Sequence, residues 1–307
     1  MERKIIIGYD GSPNGRDGLE LGRLLAEVLA AKALVCDAAP FPHGPHGLGE
    51  PDQLHAALRE ATDVPLRHAN EVLAGVEVEP RPVLDPSPAR ALFQLAETER
   101  PLLVAIGSSH RGALGRVFLG SVGQRLVEGL SCALAIAPHG YATRRETHLQ
   151  RIGAGIDEST ESRAALHTAI GLAERTHGRL HLIGVESLSR IASAWAPGMA
   201  APDLRAIEQA QASRALRDAT EQVPADLPVQ TVKPAGDPAE CLARASKDLD
   251  LLAVGSRSYG PMHRLFLGSV TARLMHNARC PLLILPRDAG EDPLGLGMTE
   301  PDLAEAS

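Results

Sequence analysis

Three kinds of residue in this sequence could contribute to a nucleotide or anion site, and each occurs at two places. An aspartate follows a short apolar run at Asp10 and again at Asp157. A carboxylate there could accept hydrogen bonds from ribose hydroxyls or face a metal ion, whereas the simpler alternative is an aspartate that only closes a turn. A glycine ends a later apolar run at Gly107 and at Gly255. Its missing side chain would let a phosphate approach the backbone closely.

A third kind is a Gly-Ser pair that opens a predicted helix, at Gly120-Ser121 and at Gly268-Ser269. The free N–H groups and the dipole of a helix N-terminus favour an anion, and the serine hydroxyl adds a donor. Each pair taken alone is more typical of an ordinary helix cap. Three such features at matching places in two parts of the chain favour an anion or nucleotide site.

The matching places follow from an internal repeat. Residues 107–121 read GSSHRGALGRVFLGS and residues 255–269 read GSRSYGPMHRLFLGS, with eight of fifteen positions identical. The segments IIIGYDGS at 5–12 and IGAGIDES at 152–159 correspond at nearly the same shift. A solenoid unit repeats every 20–50 residues or so, and this period is much longer. The chain therefore contains two copies of one domain, and each copy has the usual size of a domain.

We predict one domain over 1–142 and a second over 148–287, joined within the polar stretch 139–150. The Gly-, Pro- and acid-rich tail 288–307 is predicted to be poorly ordered. Each copy alternates strand-like apolar runs with helix-like segments, which is typical of a parallel α/β sheet covered on both faces. Ligands bind beyond the carboxyl ends of the strands in such sheets, where all three features fall.

Composition narrows the function classes. The chain has 307 residues, 44% hydrophobic and 22% charged, which excludes a disordered chain. A net charge of −7 with only 3% aromatic residues argues against a nucleic-acid groove, which needs basic and stacking side chains. Without an 18-residue apolar run, a signal-peptide core or a C-x-x-C pair, we expect a cytoplasmic protein with reduced thiols and no membrane contact. The four cysteines are Cys36, Cys132, Cys241 and Cys280.

These segments resemble the universal stress protein family in its tandem two-domain form. Its ATP-binding members carry G-x2-G-x9-G-[ST], usually followed by valine. The matching residues are Gly107, Gly120, Ser121 and Val122 in the first copy and Gly255, Gly268, Ser269 and Val270 in the second. The resemblance implies two Rossmann-like domains of the adenine nucleotide α-hydrolase-like type. Each would have a five-stranded parallel sheet of order 3-2-1-4-5, and the two would pack as an intramolecular pseudo-dimer, with a homodimer as a further expectation.

The resemblance also implies a function. Adenine would lie against the backbone near Asp10 or Asp157, and against Ala38 or Val185 at the end of the second strand of each copy. The expected ligand is ATP, with Mg²⁺ as its candidate companion ion. The protein would be a stress-response sensor or regulator with an unidentified protein partner, and not primarily an enzyme.

The sequence departs from the family motif at its second glycine, which is His110 in the first copy and Ser258 in the second. Because serine is the smaller intrusion, we rank the second copy as the better nucleotide site. The same departures support the alternative of a nucleotide-free scaffold that acts through protein contacts. An enzyme of the α-hydrolase group would need an S-G-G-x-D-S-like loop, which is absent. Arg116 and Arg264 recur before the Gly-Ser pairs and could contact phosphate or only solvent.

Overall fold

The computed structural model describes residues 2–39, 66–85, 87–109, 113–144, 148–187, 201–256, 268–286, 290 and 292–297. The strands are β1 Lys4–Gly8, β2 Lys32–Ala39, β3 Val78–Leu84, β4 Leu103–Gly107, β5 Ala133–Ala137, β6 Arg151–Ile156, β7 Arg179–Gly184, β8 Val229–Val232, β9 Leu251–Gly255 and β10 Leu282–Leu285. The helices are α1 Pro13–Leu29, α2 Pro88–Glu99, α3 Ser121–Gly129, α4 Thr160–Arg175, α5 Ala201–Thr220, α6 Pro238–Ala245 and α7 Ser269–Leu274. Residues 66–72 are also helical.

The strands form one ten-stranded sheet in the order β3-β2-β1-β4-β5-β10-β9-β6-β7-β8. Within each half the order is 3-2-1-4-5 and every pairing is parallel, as the family resemblance implies. The expectation of two separate five-stranded sheets is corrected in one respect. Strands β5 and β10 pair antiparallel, with Ala135 opposite Leu283, and so join the halves into one sheet.

The central strands are buried because helices cover both faces of the sheet, while the edge strand β8 is exposed. Ile5, Ile6 and Ile7 of β1 have no solvent exposure, and neither do Leu251 and Leu252 of β9. Ile5 belongs to a cluster of aliphatic side chains on one face, and Ile6 belongs to the cluster on the other. Each cluster contains residues of both halves. The alternation of strand and helix therefore produces the two-sided core expected of a parallel sheet.

Local chemistry fixes where the first helix of each half begins. Ser12 precedes α1, and its side chain accepts a hydrogen bond from the backbone N–H of Gly15. Ser159 caps α4 in the same way through the N–H of Ser162. Each cap satisfies one of the N–H groups that a helix start leaves without a partner. Both helices thus begin directly beside the carboxyl end of their preceding strand.

The described part of the polar junction is held by α1. The carboxylate of Asp17, which is buried, accepts backbone hydrogen bonds from Gly140 at 2.7 Å and from Ala142 at 2.8 Å. Of the tail that we predict to be poorly ordered, residues 290 and 292–297 are described. Leu294 and Leu296 are buried there, so this short segment packs against the domains. The rest of the tail lies outside the described residues.

In the part of the chain that the structure describes, the helices are too short or too polar to cross a membrane.

Candidate functional site

A cavity of about 810 Å³ opens beyond the carboxyl ends of β1 and β4 in the first half. The sequence-predicted residues that line it are Asp10, Gly107, Gly120, Ser121 and Val122. Ala38 lies one residue before the end of the neighbouring strand β2, and only its backbone is described. His110 lies outside the described residues. The fold therefore brings together five of the seven residues that the sequence points to in this half.

The second half has a cavity of about 220 Å³ at the equivalent place. Its lining includes the predicted residues Asp157, Val185, Gly255, Gly268, Ser269 and Val270. Ser258 lies outside the described residues. Two copies of one sequence pattern have thus folded into two equivalent cavities, as the repeat predicts, but of different size.

The aspartate after the first strand of each half closes a turn and also lines the cavity. Asp10 Oδ1 accepts a hydrogen bond from the backbone N–H of Ser12 at 3.0 Å. Asp157 Oδ1 accepts from the N–H of Ser159 at 2.8 Å and also from the Ser159 hydroxyl. Because each carboxylate borders a cavity, the turn role and a ligand-binding role are compatible.

Packing requires a glycine at the end of the fourth strand of each half, Gly107 in β4 and Gly255 in β9. A β-carbon on Gly107 would overlap the backbone carbonyl oxygen of Asn14 in the first turn of α1. A β-carbon on Gly255 would overlap the side chain of Glu161 in α4. We predicted that these glycines let phosphate approach the backbone. They do line the cavities, but the observed reason for glycine is the close approach of a helix.

A helix N-terminus borders each of the two cavities. Gly120 is the N-cap of the nine-residue helix α3, and Gly268 precedes the six-residue helix α7. The first three N–H groups after an N-cap have no partner inside a helix and can bind an anion. Backbone hydrogen bonds of the helical type continue beyond α7, from Met275 N–H to Thr271 and from Ala278 N–H to Leu274, so both cavities face a comparable helix N-terminus.

Charge also distinguishes the cavities. Three carboxylates line the second cavity, those of Asp157, Glu161 and Asp237, whereas Asp10 is the single carboxylate among the described residues of the first. Arg273 in the second cavity is paired with Asp237 at 2.6 Å. Volume and lining charge therefore favour the first cavity for an anionic ligand, whereas Ser258 and His110 favour the second.

The first cavity has an apolar floor that motif reasoning missed. Cys36, Leu92 and Ile106 contribute to it, and Ile183, Leu242 and Val254 occupy the equivalent places in the second half. The repeat carries the signal that could have found them, because these residues are paired between the copies at nearly the same shift as the motif. Burial, together with the neighbouring charge of Asp37, raises the pKa of the Cys36 thiol to about 12, so this thiol is not a nucleophile at neutral pH. All four cysteines are free.

The segment before Gly120 is held in place from both halves. Within the first half, Ser109 N–H donates to the carbonyl of Phe118 at 2.7 Å. Across the halves, the N–H groups of Val117 and Leu119 donate to the carbonyls of Ala278 and Met275 at 2.8 and 3.0 Å. The loop that presents α3 to the first cavity is therefore fastened to the second half.

Two further predictions concern ions. Arg116 lies outside the lining of the first cavity and lines a separate cleft instead, while Arg264 falls outside the described residues. Within the described ranges, the His, Cys, Asp and Glu side chains form no group of three that could hold a metal ion.

Comparisons with known proteins agree with this arrangement. The model of the universal stress protein family matches residues 1–138 and again 148–286. A universal stress protein of Mycobacterium tuberculosis is 35% identical over 185 residues, which are 59% of this chain and 61% of that protein. Another from the same organism is 24% identical over 297 residues, or 92% of this chain and 99% of that one.

Among solved structures, a universal stress protein from Archaeoglobus fulgidus superposes with a TM-score of 0.65 at 21% identity. The superposition covers 92% of this chain and 98% of the other, and at this identity it shows a shared fold. The family model accounts for both halves of the repeat and for nearly the whole described chain. The chain therefore belongs to the universal stress protein family.

Proposed function

We propose that the first cavity binds an adenine nucleotide, ATP, and that the protein acts as a stress-response regulator in the cytoplasm. The observation that carries this proposal is the convergence of Asp10, Gly107 and the N-terminus of α3 on one cavity. Its volume of about 810 Å³ lies within the range of about 300–1,000 Å³ typical of small-molecule sites. The second cavity, at about 220 Å³, lies below that range and is proposed as the weaker site.

Each part of the nucleotide has candidate partners. The free N–H groups at the start of α3 and the Ser121 hydroxyl would hold phosphate oxygens. Asp10 would accept hydrogen bonds from the ribose hydroxyls. The apolar floor of Cys36, Leu92 and Ile106 would contact the uncharged part of the ligand. Adenine would meet backbone groups at the end of β2 near Ala38, since few aromatic rings are available for stacking.

The described residues fit the nucleotide better than they fit a metal alone. Asp10 is the single carboxylate that they place around the first cavity, so Mg²⁺ would enter with the phosphates of ATP. The proposed role is regulation by binding. A nucleotide that contacts Asp10 and α3 also acts on a loop fastened to Ala278 and Met275, so occupancy would shift the conformers seen by a protein partner.

The proposal is tested by asking whether the protein carries and binds the nucleotide. Purified protein is denatured, any released nucleotide is identified by mass and absorbance, and ATP is then titrated calorimetrically with GTP as the matched control. We expect saturable heat with ATP and much less with GTP. Absence of both released nucleotide and heat at millimolar ATP would overturn the proposal and leave the nucleotide-free scaffold as the function.

A further inference from the structure

A third concave site lies in a cleft where residues of both halves meet. It has a volume of about 320 Å³ and is lined by five cationic side chains and one carboxylate. The cations are Arg116, Arg244, Lys247, Arg273 and Arg279, and the carboxylate is Glu240. The whole chain carries a net charge of −7, so this concentration of positive charge runs against the overall composition.

The cations come from separate elements that the backbone holds in place. Arg116 belongs to the loop before α3, and its neighbour Val117 is hydrogen-bonded to Ala278 in the second half. On the opposite side, the N–H of Arg279 donates to the hydroxyl of Ser246 at 2.9 Å, and Ser246 is completely buried. The backbone on both sides of the cleft is therefore held by hydrogen bonds, while the cationic side chains reach into the cleft from these fixed segments.

Few acids balance this charge. Arg273 is paired with Asp237 and with Glu240, at 2.6 and 3.1 Å. Across the described part of the chain, no ion pair is formed by Arg116, Arg244, Lys247 or Arg279. Like charges that converge without a counter-charge repel one another, and an anion in the cleft would remove that repulsion.

The fold alone explains only part of the cluster. Arg244 lies in the last turn of α6 and Lys247 follows it, where the helix dipole favours cations. Neither Arg116, which comes from the other half, nor Arg279, which precedes β10, is explained by that dipole. Their convergence on the same cleft is a property of how the halves meet.

We propose that this cleft binds a small molecule bearing two or more phosphate groups. Arginine guanidinium groups match phosphate oxygens with paired hydrogen bonds, and several of them around one cavity favour a multiply charged ligand. The small concave volume favours a small molecule over an acidic peptide or a nucleic acid. Arg116 is four residues before Gly120, so an anion here would also bias the loop of the first cavity. This site is distinct from the proposed ATP cavity.

The test is calorimetric titration of the full-length protein with inorganic pyrophosphate. It is run in the Gly120→Glu, Gly268→Glu double variant, so that phosphate does not report on the nucleotide cavities, and again in the wild type saturated with ATP. We expect saturable binding in both backgrounds, weakened about tenfold or more by Arg116→Ala or Arg244→Ala. The exposed Arg217→Ala on α5 is the matched control and should change the affinity less than twofold.

Two further measurements distinguish loss of phosphate recognition from loss of the folded structure. Arg116→Lys keeps the charge without the guanidinium fork and should bind with intermediate affinity, while thermal unfolding verifies that each variant is folded. Citrate, a multiply charged carboxylate, should bind more weakly than pyrophosphate. The inference is overturned by an absence of saturable heat, by Arg116→Ala binding as well as the Arg217→Ala control, or by citrate binding more tightly than pyrophosphate.

Discussion

Gly107 at the end of β4 touches the backbone of Asn14 so closely that any side chain at position 107 would overlap the Asn14 carbonyl oxygen. The fit is mutual, because a β-carbon on Gly18 of α1 would lie 2.5 Å from the backbone nitrogen of Gly107. The point where Gly107 lines the first cavity is therefore also the point where the first helix packs against the sheet. Gly107 thus both packs against α1 and lines the cavity that we propose binds the nucleotide.

The first prediction concerns that contact. Gly107→Ala should lower the free energy of unfolding by about 3 kcal/mol or more, because backbone atoms cannot move aside as a flexible side chain would. Gly75→Ala is the control: Gly75 has a φ of +95° and open space around it, so the loss should be only about 1–2 kcal/mol. Urea unfolding of both variants measures the difference. Equal losses would show that the contact with Asn14 is not rigid.

The second prediction ranks the two cavities. Gly120→Glu places a carboxylate at the N-terminus of α3 and should weaken ATP binding by about a hundredfold or more, since like charges brought together cost several kcal/mol. Gly268→Glu should have a smaller effect on the total heat of ATP binding, because the second cavity is smaller and already lined with carboxylates. Calorimetry on both variants decides. A larger loss in Gly268→Glu would restore the ranking inferred from Ser258 and His110.

The third prediction concerns the ribose contact. Asp10→Asn keeps an oxygen that can accept from the N–H of Ser12, so the turn should be preserved. It loses a charge-assisted bond to the ribose hydroxyls, and ATP affinity should fall about tenfold. The 2′,3′-dideoxy analogue of ATP should bind both forms equally. Tighter ATP binding by the variant would mean that Asp10 repels the phosphates and does not contact the ribose.

The fourth prediction is a pH dependence at Asp37 of β2. Burial, with the nearby charge of Asp10 second, raises the pKa of this carboxyl to about 6, against about 3.9 in an unfolded chain. Between about pH 4 and pH 6 the folded state therefore binds more protons than the unfolded state, and the stability contribution of this group falls as the pH rises.

Asp37→Asn has no charge to bury, so it should match the wild type below about pH 4. It should be more stable by about 1–3 kcal/mol above about pH 6.5. Urea unfolding at a series of pH values measures this difference. Asp10→Asn should make this cost smaller and complete it at a lower pH, because it removes the second cause of the raised pKa and leaves the unfolded-state pKa, where the cost begins, unchanged. A stability difference that does not vary with pH would contradict the assignment.

The fifth prediction concerns the segment 292–297. Leu294 is completely buried, and the guanidinium of Arg3 donates to its carbonyl at 2.9 Å. Leu294→Ala should therefore lower the free energy of unfolding by about 2–3 kcal/mol, as for other buried leucines. Leu114, which is 77% exposed, is the control, and Leu114→Ala should stay within about 0.5 kcal/mol of the wild type. No effect at Leu294 would support a poorly ordered tail throughout.

The sequence by itself determined the repeat, the alternation of strand and helix, and the placement of the motif residues. These follow from short-range patterns, since an apolar run, a capping serine and a helix-opening glycine specify their own neighbourhood. The topology of a parallel sheet then forces Asp10 and Gly120, which are distant in the chain, to the same edge. For this reason most of the first cavity could be assigned from the motif and its resemblance to a family.

Only the tertiary structure decided how the halves meet and which cavity is larger. The antiparallel pairing of Ala135 with Leu283 joins residues far apart in the sequence, and no local pattern specifies which strand edges will pair. Arg116 illustrates the consequence. Its position before Gly120 left open a phosphate contact in its own half or exposure to solvent, whereas the hydrogen bond from Val117 to Ala278 places it at the cleft. Cavity volume likewise depends on how side chains from several elements pack together, which a motif within one segment does not encode.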